Sequence, residues 1–140
     1  GYGLQRPDSA DLPDITAFLV DANVAWRITP LTSLLVDAAT TIDETTLAGS
    51  SGAVTRRMGA RVRHAITERL FGEAGVSYTT QNYQGSDLQE RNTALDINVE
   101  YKLNRHAALF SSYTHNRFRS SLEIRDYNAD TILFGARLRN

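Results

Sequence analysis

Residues 92–103, NTALDINVEYKL, alternate between two kinds of side chain without a break. Apolar side chains and one threonine take every second position, and polar side chains and one alanine take the others. This strict period of two predicts a β-strand with an apolar face and a polar face. The run is long, because strands of soluble domains average about five or six residues.

Six further segments show the same alternation, and no segment has the period of a helix. They are 15–28, 31–43, 53–66, 69–83, 106–119 and 125–140, and Gly1–Tyr2 is interpreted as the end of an earlier strand. A few positions break the pattern. Phe71 and Phe110 fall on the polar side, Arg56 and His64 on the apolar side, and Ile15 and Leu19 add apolar residues to the polar side of the first strand.

The connections between these segments alternate in length. Short connections contain Thr29-Pro30, Thr67-Glu68 and Asn104-Arg105, whereas the others are the longer polar stretches 44–52, 84–89 and 120–124. Hairpins with short turns at one end and longer loops at the other are typical of an up-and-down meander. The pattern therefore predicts an all-β chain, an antiparallel meander of seven to eight long strands.

Two architectures fit this pattern: a soluble lipocalin-like barrel with its apolar face inside, and a transmembrane barrel with its apolar face towards lipid. A strand needs about 9–11 residues to cross a bilayer, and the predicted strands are longer than this. Short turns at one end and aromatic residues near both strand ends are also typical of membrane barrels. The predicted membrane-interface aromatics are Trp26, Tyr78, Tyr101 and Tyr113. We therefore favour a transmembrane β-barrel, or part of one.

The polar face carries small residues and charges of both signs, as the inside of a barrel does. The lumen-lining candidates are Asp21, Asn23, Arg27, Asp37, Arg57, Arg61, Arg63, Glu73, Asp96, Asn98, Glu100, Lys102 and Arg137. If the Thr67-Glu68 hairpin is tight, Arg61 or Arg63 lies directly across from Glu73. Charged lumen residues set the selectivity of a pore. The alternative is a neutralised network that fills a small closed barrel.

Composition excludes several other functions. The net charge is −1 without a block of like charge, which argues against a nucleic-acid partner. No cysteine is present, and His64, His106 and His115 lack metal-ligand spacing. The stretch 47–52, LAGSSG, is glycine-rich but precedes a strand and lacks the lysine of a phosphate-binding loop. No nucleophile elbow is present. We expect no enzyme activity, no cofactor and no metal site.

The turn segment WRITPLTSL (26–34), the turn YKLNR (101–105), the segment from Tyr113 to RFRSS (117–121) and RDYN (125–128) resemble the C-terminal part of the putative beta-barrel porin 2 family. The resemblance covers essentially the whole chain. It implies a Gram-negative outer-membrane barrel, a family often encoded near exopolysaccharide export genes. The implied partners are the outer-membrane bilayer, the barrel-assembly machinery and, if export is the function, polysaccharide. The implied function is porin-like passive transport of solutes or export of exopolysaccharide. The alternative function is that of a plugged or structural barrel, or of a soluble lipocalin-like barrel that binds a ligand.

Family members are longer than this chain, with a signal peptide and earlier strands. Residues 1–140 are therefore predicted to be one outer-membrane barrel domain, the C-terminal portion of a larger barrel. Such barrels usually end in an aromatic residue that the assembly machinery reads. This sequence ends in Asn140 instead. We expect either that about one residue is missing from the C-terminus or that the barrel inserts less efficiently. Open strand edges in lipid cost several kcal/mol per unpaired backbone group, so we expect the edges to pair with further strands, the sheet to close on itself, or the chain to aggregate.

Overall fold

A computed structural model describes residues 2–5, 15–43, 52–121 and 123–138. Most of these residues lie in strands. The strands are β1 (Tyr2–Gln5), β2 (Ile15–Phe18), β3 (Asp21–Thr29), β4 (Thr32–Asp43), β5 (Gly52–Ala65), β6 (Leu70–Gln84), β7 (Gln89–Lys102), β8 (Ala107–Ser120) and β9 (Tyr127–Leu138). Most of the predicted loop 44–52 and the terminal Asn140 lie outside the described residues.

Strands β3 to β9 form one sheet in which every strand pairs with its neighbours in the sequence. All of these pairings are antiparallel. The register is continuous across five of the six interfaces and shifts once, between Arg27 and Thr29 on β3. This arrangement confirms the predicted all-β, up-and-down meander. Within the described residues the sheet is open, since its edge strands are β3 and β9.

The predicted first strand, 15–28, is wrong as a single element. Residues 15–18 pair with β1 in a separate two-stranded sheet, and β3 begins only at Asp21. The break falls where the alternation fails, because the stretch 17–20 is AFLV, with apolar side chains on both faces. The backbone stays near the main sheet, since the Thr40 amide donates to the Val20 carbonyl at 2.7 Å. The earlier strand also extends further than expected, to Gln5.

Some predicted boundaries also move. Strand β7 begins at Gln89 rather than Asn92, so the connection after β6 shortens to four residues around Gly85. Gly85 has a φ of 88°, a left-handed turn conformation that favours glycine. The segment 120–124, predicted as a loop, contains part of a short 3₁₀ turn, Glu123–Arg125, and β9 starts after it at Tyr127.

The connections 66–69 and 103–106 form turns of the same kind. The Ile66 amide donates to the Leu70 carbonyl at 2.9 Å, and the Leu103 amide donates to the Ala107 carbonyl at the same distance. Each closes a three-residue loop whose first side chain accepts backbone amides. Thr67 Oγ1 accepts from Leu70 at 3.0 Å, and Asn104 Oδ1 accepts from His106 at 2.8 Å and from Ala107 at 2.9 Å. These turns and residues 30–31 define the short-turn end of the sheet, and the opposite end is the long-loop end.

The apolar face of the sheet is exposed. On β7, Leu95, Ile97 and Val99 are 41%, 43% and 40% accessible, and on β9 Phe134 is 74% accessible. Among the described residues, the buried hydrophobic side chains are Ala53, Val54 and Leu88, all near the long-loop end. A soluble barrel or sandwich would bury its apolar rows. This face therefore needs an apolar surrounding medium.

On β6 to β9 the polar face is the more covered of the two, whereas on β3 to β5 it is not. Along β7, exposure alternates strictly, with exposed side chains at the odd positions 91–101 and half-buried ones at the even positions 90–100. The half-buried set includes Glu90 and Glu100, whose side chains are only 13% and 25% accessible. A sheet crowds the side chains on its concave side. We infer that the sheet curves around its polar face.

The apolar band crosses the strands obliquely. On β4 the apolar residues of this face run from Leu34 to Ile42, and on β9 they run from Ile132 to Leu138. The hydrogen-bonded row that starts at Leu34 reaches Ile132 on β9. The centre of the band thus moves by about seven residues, roughly 23 Å, over five strand spacings of about 4.8 Å. This corresponds to a strand tilt of about 40°, in the range of membrane barrels.

In the described ranges, no helix has the length and apolar character needed to cross a membrane.

Candidate functional site

The polar face of the sheet brings all the lumen-lining candidates together. The register places each of them on this one face, from Asp21 on β3 to Arg137 on β9. Neighbouring strands also bring charged pairs into line, and Arg63 lies directly across from Glu73, as the tight-hairpin argument predicted. That this face lines a lumen remains a prediction.

Charges in the middle of the polar face are arranged with both signs in contact. Arg61 Nε lies 3.5 Å from a carboxylate oxygen of Glu73, diagonally across the β5–β6 pair. Gly75 is the register partner of Arg61, and an added Cβ there would lie 3.4 Å from Arg61 Nε. The Arg61 side chain thus lies over this glycine on its way towards Glu73.

A second glycine accommodates an acidic side chain. Asp37 lies opposite Gly59, and an added Cβ at Gly59 would be 2.7 Å from Asp37 Oδ1. Two strands away, the Thr114 hydroxyl donates to Asp96 Oδ1 at 3.0 Å. These carboxylates and the guanidinium of Arg61 border a common shallow hollow. The small residues of this face therefore hold its charged groups close to the backbone.

Towards the short-turn end, cations cover the faces of aromatic rings. Lys102 Nζ lies 4.2 Å from the ring centre of Phe71, and Arg63 Cζ lies 5.6 Å from the same centre. On the next pair of strands, Arg137 Cζ is 5.7 Å from the ring centre of Phe110, and Nη1 of the same guanidinium donates to Glu100 at 3.1 Å. Cations are attracted to the negative face of such rings. Each phenylalanine that breaks the alternation thus holds cationic side chains in place.

Phe110 also covers a glycine on the neighbouring strand. Gly135 is its register partner, and an added Cβ at Gly135 would lie 2.5 Å from Phe110 Cζ. The ring therefore occupies the space that a side chain at position 135 would take. This contact fixes the rotamer of Phe110 and with it the position of the ring against Arg137.

Another aromatic and acidic group lies towards the long-loop end, on the part of the sheet beyond the apolar band. Phe118 and Tyr127 stack with ring centres 5.2 Å apart. The Tyr83 hydroxyl donates to Glu90 at 3.2 Å, and Arg125 lies 3.4 Å from the same carboxylate. Burial raises the pKa of Tyr83, and the charge and hydrogen bond of Glu90 raise it further.

Charge is distributed unevenly along the strands. The cations nearest the short-turn end are Arg27, Arg63, Lys102 and Arg137, whereas the acids nearest the long-loop end are Asp21, Asp43 and Glu90. Glu73 and Glu100 partly offset these cations. Arg57, in the same row as Asp21, and Arg125, beside Glu90, partly offset the acids. The polar face is thus more basic at its short-turn end and more acidic at its long-loop end.

The interface aromatics all lie on the apolar face. Trp26 and Tyr101 are 58% and 42% accessible and lie towards the short-turn end of the band on their strands. Tyr78 and Tyr113 lie towards the long-loop end of the band. Because the band is oblique, Trp26 and Tyr113 share one hydrogen-bonded row and still mark opposite edges of the band. Two aromatic girdles would have this arrangement.

Sequence reasoning missed the role of several residues of the polar face. Phe71 and Phe110 were visible only as breaks in the alternation, and Gly59 and Gly135 only as small residues. A phenylalanine that has charged residues beside it on the same face of the strand is a sequence signal that could have predicted the cation contacts. In the described part of the chain, no group of three or more histidine, aspartate or glutamate residues is placed to hold a metal ion.

The comparison with known families agrees with this geometry. The family described as Putative beta-barrel porin 2 matches residues 1–140, the whole chain. No curated protein matches the chain in sequence. An exposed apolar band, interface aromatics and a charged opposite face are the features that such a barrel wall requires. The chain therefore belongs to the Putative beta-barrel porin 2 family.

Proposed function

We propose that this chain forms part of the wall of a bacterial outer-membrane pore and that small solutes cross the pore passively. The family is one of barrel porins, which supports an outer-membrane location. The observation that carries the proposal is the pairing, on the same strands, of an exposed apolar band with an opposite face that carries charges of both signs. Lipid would contact the first face, and water and solutes the second.

The open sheet sets a condition on this function. Strands β3 and β9 each present one unpaired edge within the described residues. In hydrocarbon these backbone groups need partners, at a cost of several kcal/mol for each group left unpaired. We propose that further strands, inserted with the help of the barrel-assembly machinery, pair with both edges and close a barrel wider than seven strands could form.

The charged face supports selective passage without catalysis. Its cations and acids form ion pairs such as Arg61–Glu73 and Arg137–Glu100. Charged side chains that line a pore select among permeating ions. We propose a non-enzymatic function, in which the uneven charge along the strands biases the solutes that pass.

Export of a polysaccharide in a Gram-negative bacterium is the alternative. It would be favoured by open aromatic faces on the polar side, since sugar rings stack on such faces. The rings of Phe71 and Phe110 are instead covered by Lys102, Arg63 and Arg137. We therefore place small solutes first.

Planar-bilayer conductance of the protein in its full natural length tests the proposal. Asn98 lies on the polar face between Glu73 and Ser112. Substitutions at this one position can therefore place either a positive or a negative charge on that face. Asn98→Lys should shift the reversal potential in a salt gradient towards anions and Asn98→Asp towards cations, with Asn98→Gln as the matched neutral control. Absence of current would indicate a plugged barrel. Equal reversal potentials for all three variants would show that this face does not line the pore.

A further inference from the structure

Arginines gather on the apolar face, at its long-loop end. Arg91 on β7 and Arg119 on β8 are direct register partners, so their side chains leave the sheet side by side. Arg117 lies two residues from Arg119 on β8, opposite Thr93 and thus diagonal to Arg91. Cβ atoms of directly opposed residues are about 5 Å apart and diagonal ones about 7–8 Å. We call Arg91, Arg117 and Arg119 the arginine cluster.

The arginine cluster lacks sufficient negative charge of its own. Arg119 lies 3.4 Å from Asp126, its one acidic contact in the described structure. Among the described residues, Arg91 and Arg117 have no acidic partner, and both are exposed. Like charges placed directly opposite on a sheet are destabilising. An anion bound between the guanidinium groups would remove this repulsion.

The depth of the arginine cluster matches the headgroups of a bilayer. Arg91 lies four residues beyond Leu95, the last apolar side chain of its face on β7, and Arg117 lies four residues beyond Tyr113 on β8. With a tilt of about 40°, four residues correspond to roughly 10 Å along the membrane normal. The cluster therefore stands just beyond the hydrocarbon, at the edge that faces away from the short turns.

A cavity is present where the anion would bind. It has a volume of about 210 Å³ and is lined by Gln89, Arg91, Arg119, Ser120 and Ser121. Two guanidinium groups border it. That of Arg119 also donates to the Phe118 carbonyl at 2.9 Å and pairs with Asp126, so Arg91 supplies most of the guanidinium donors that are open to a further ligand. Guanidinium groups bind phosphate through paired, charge-assisted hydrogen bonds. The positive charge of Arg91 and Arg119 therefore makes this depression a candidate site for a phosphate group.

We propose that the arginine cluster binds a phosphate group of lipid A, the phosphorylated glycolipid of the outer leaflet. This inference rests on the proposed function, since it requires the barrel to stand in an outer membrane with its long loops outside. The lipid's acyl chains would lie on the apolar band below the cluster, against Leu95 and Tyr78. Phosphate and acyl chains of one molecule thus contact adjoining parts of one surface.

The test uses the protein in its full natural length, folded in detergent micelles, with bound lipid counted by native mass spectrometry. Arg91→Gln/Arg117→Gln removes the two unpaired charges and leaves the Arg119–Asp126 ion pair. Arg69→Gln/Arg105→Gln removes two charges at the short-turn end and serves as the matched control. Three probes are compared: lipid A, lipid A without its phosphates, and inorganic phosphate alone. If the double variant does not fold, Arg91→Gln alone replaces it.

We expect the unmodified protein to bind lipid A about tenfold or more tightly than the dephosphorylated lipid, because charge-assisted hydrogen bonds are lost with the phosphates. The cluster variant should lose this preference, and the control variant should keep it. Equal lipid A binding by the cluster variant and the unmodified protein would overturn the inference. Equal affinity of the unmodified protein for lipid A with and without its phosphates would also overturn it. Binding of inorganic phosphate as tightly as lipid A would do the same. An unmodified protein that stays folded and monomeric in water without detergent would instead refute the barrel function itself, before any lipid is added.

Discussion

Substitution of arginine at Val99 and at Asn98 separates the two faces of the sheet by a single position. Val99 stands in the middle of the β7 run from Leu95 to Leu103 and is 40% accessible, so its side chain would lie near the centre of the bilayer. Asn98 lies on the polar face, across from Glu73. Two side chains that are adjacent in the strand are thus expected in opposite environments, Val99 in hydrocarbon and Asn98 on a charged, hydrated surface.

The structure sets the expected size of both effects. Val99 is four residues from each end of its apolar run, roughly 10 Å from either interface along the normal at the observed tilt. Arginine at the midplane of a barrel costs about 2–4 kcal/mol, which is roughly a 30- to 1,000-fold change in the folding equilibrium. Thr93→Arg, at the band's edge, should cost about 0–1 kcal/mol for its depth and up to about 1 kcal/mol more because it faces Arg117. Asn98→Arg should change stability by less than about 1 kcal/mol, because it gains Glu73 as a partner.

The assay is reversible unfolding of the full-length protein in lipid vesicles by denaturant, with the folded fraction read from tryptophan fluorescence. The expected order of destabilisation is Val99→Arg, then Thr93→Arg, then Asn98→Arg. Equal losses at positions 98 and 99 would refute the assignment of faces, and so would a larger loss at position 98. A greater cost at Thr93 than at Val99 would refute the position of the band.

Two further predictions follow from local geometry. Gly135→Ala should destabilise the protein by about 1–3 kcal/mol, because its Cβ would lie 2.5 Å from Phe110 Cζ, whereas Gly59→Ala should cost less, since the Asp37 carboxylate can rotate away. Phe110→Ala combined with Gly135→Ala should recover part of that loss in a double-mutant cycle, and strict additivity would contradict the contact. Asn104→Ala should cost about 1 kcal/mol, because two turn amides at 2.8 and 2.9 Å lose their acceptor. An unchanged unfolding midpoint for Asn104→Ala would contradict this role.

The meander could be predicted from the sequence because the chemical contrast between its faces is strong. From Leu95 to Leu103 every second side chain is apolar, and the predicted strand there agrees with β7 to within one residue at that end. The β7 start at Gln89 was missed because Gln89, Glu90 and Arg91 are all polar, so alternation gives no contrast. The split of residues 15–28 was missed for the opposite reason, since 17–20 are apolar on both faces.

The contacts of the candidate site could be predicted only in part. Arg63 opposite Glu73 followed from hairpin parity, because the two strands are joined by a short turn. The row from Arg91 to Arg119 depends on the β7–β8 register, and the place of the cluster above the apolar band depends on the tilt. The contact of Phe110 with Gly135 depends on a rotamer and on the register together. Contacts of this kind, between residues of different strands, cannot be predicted from the alternation of side chains within one strand.

The exposed apolar face has a consequence for how this sequence can vary. Inside a soluble protein, neighbouring side chains are fixed, so a change of one methylene group leaves a void or a clash. Acyl chains are fluid and adapt to whatever shape they meet. Positions such as Ile97 and Phe134 are therefore constrained in polarity but almost free in size, and related chains can differ widely there while the opposite face keeps its paired charges and glycines.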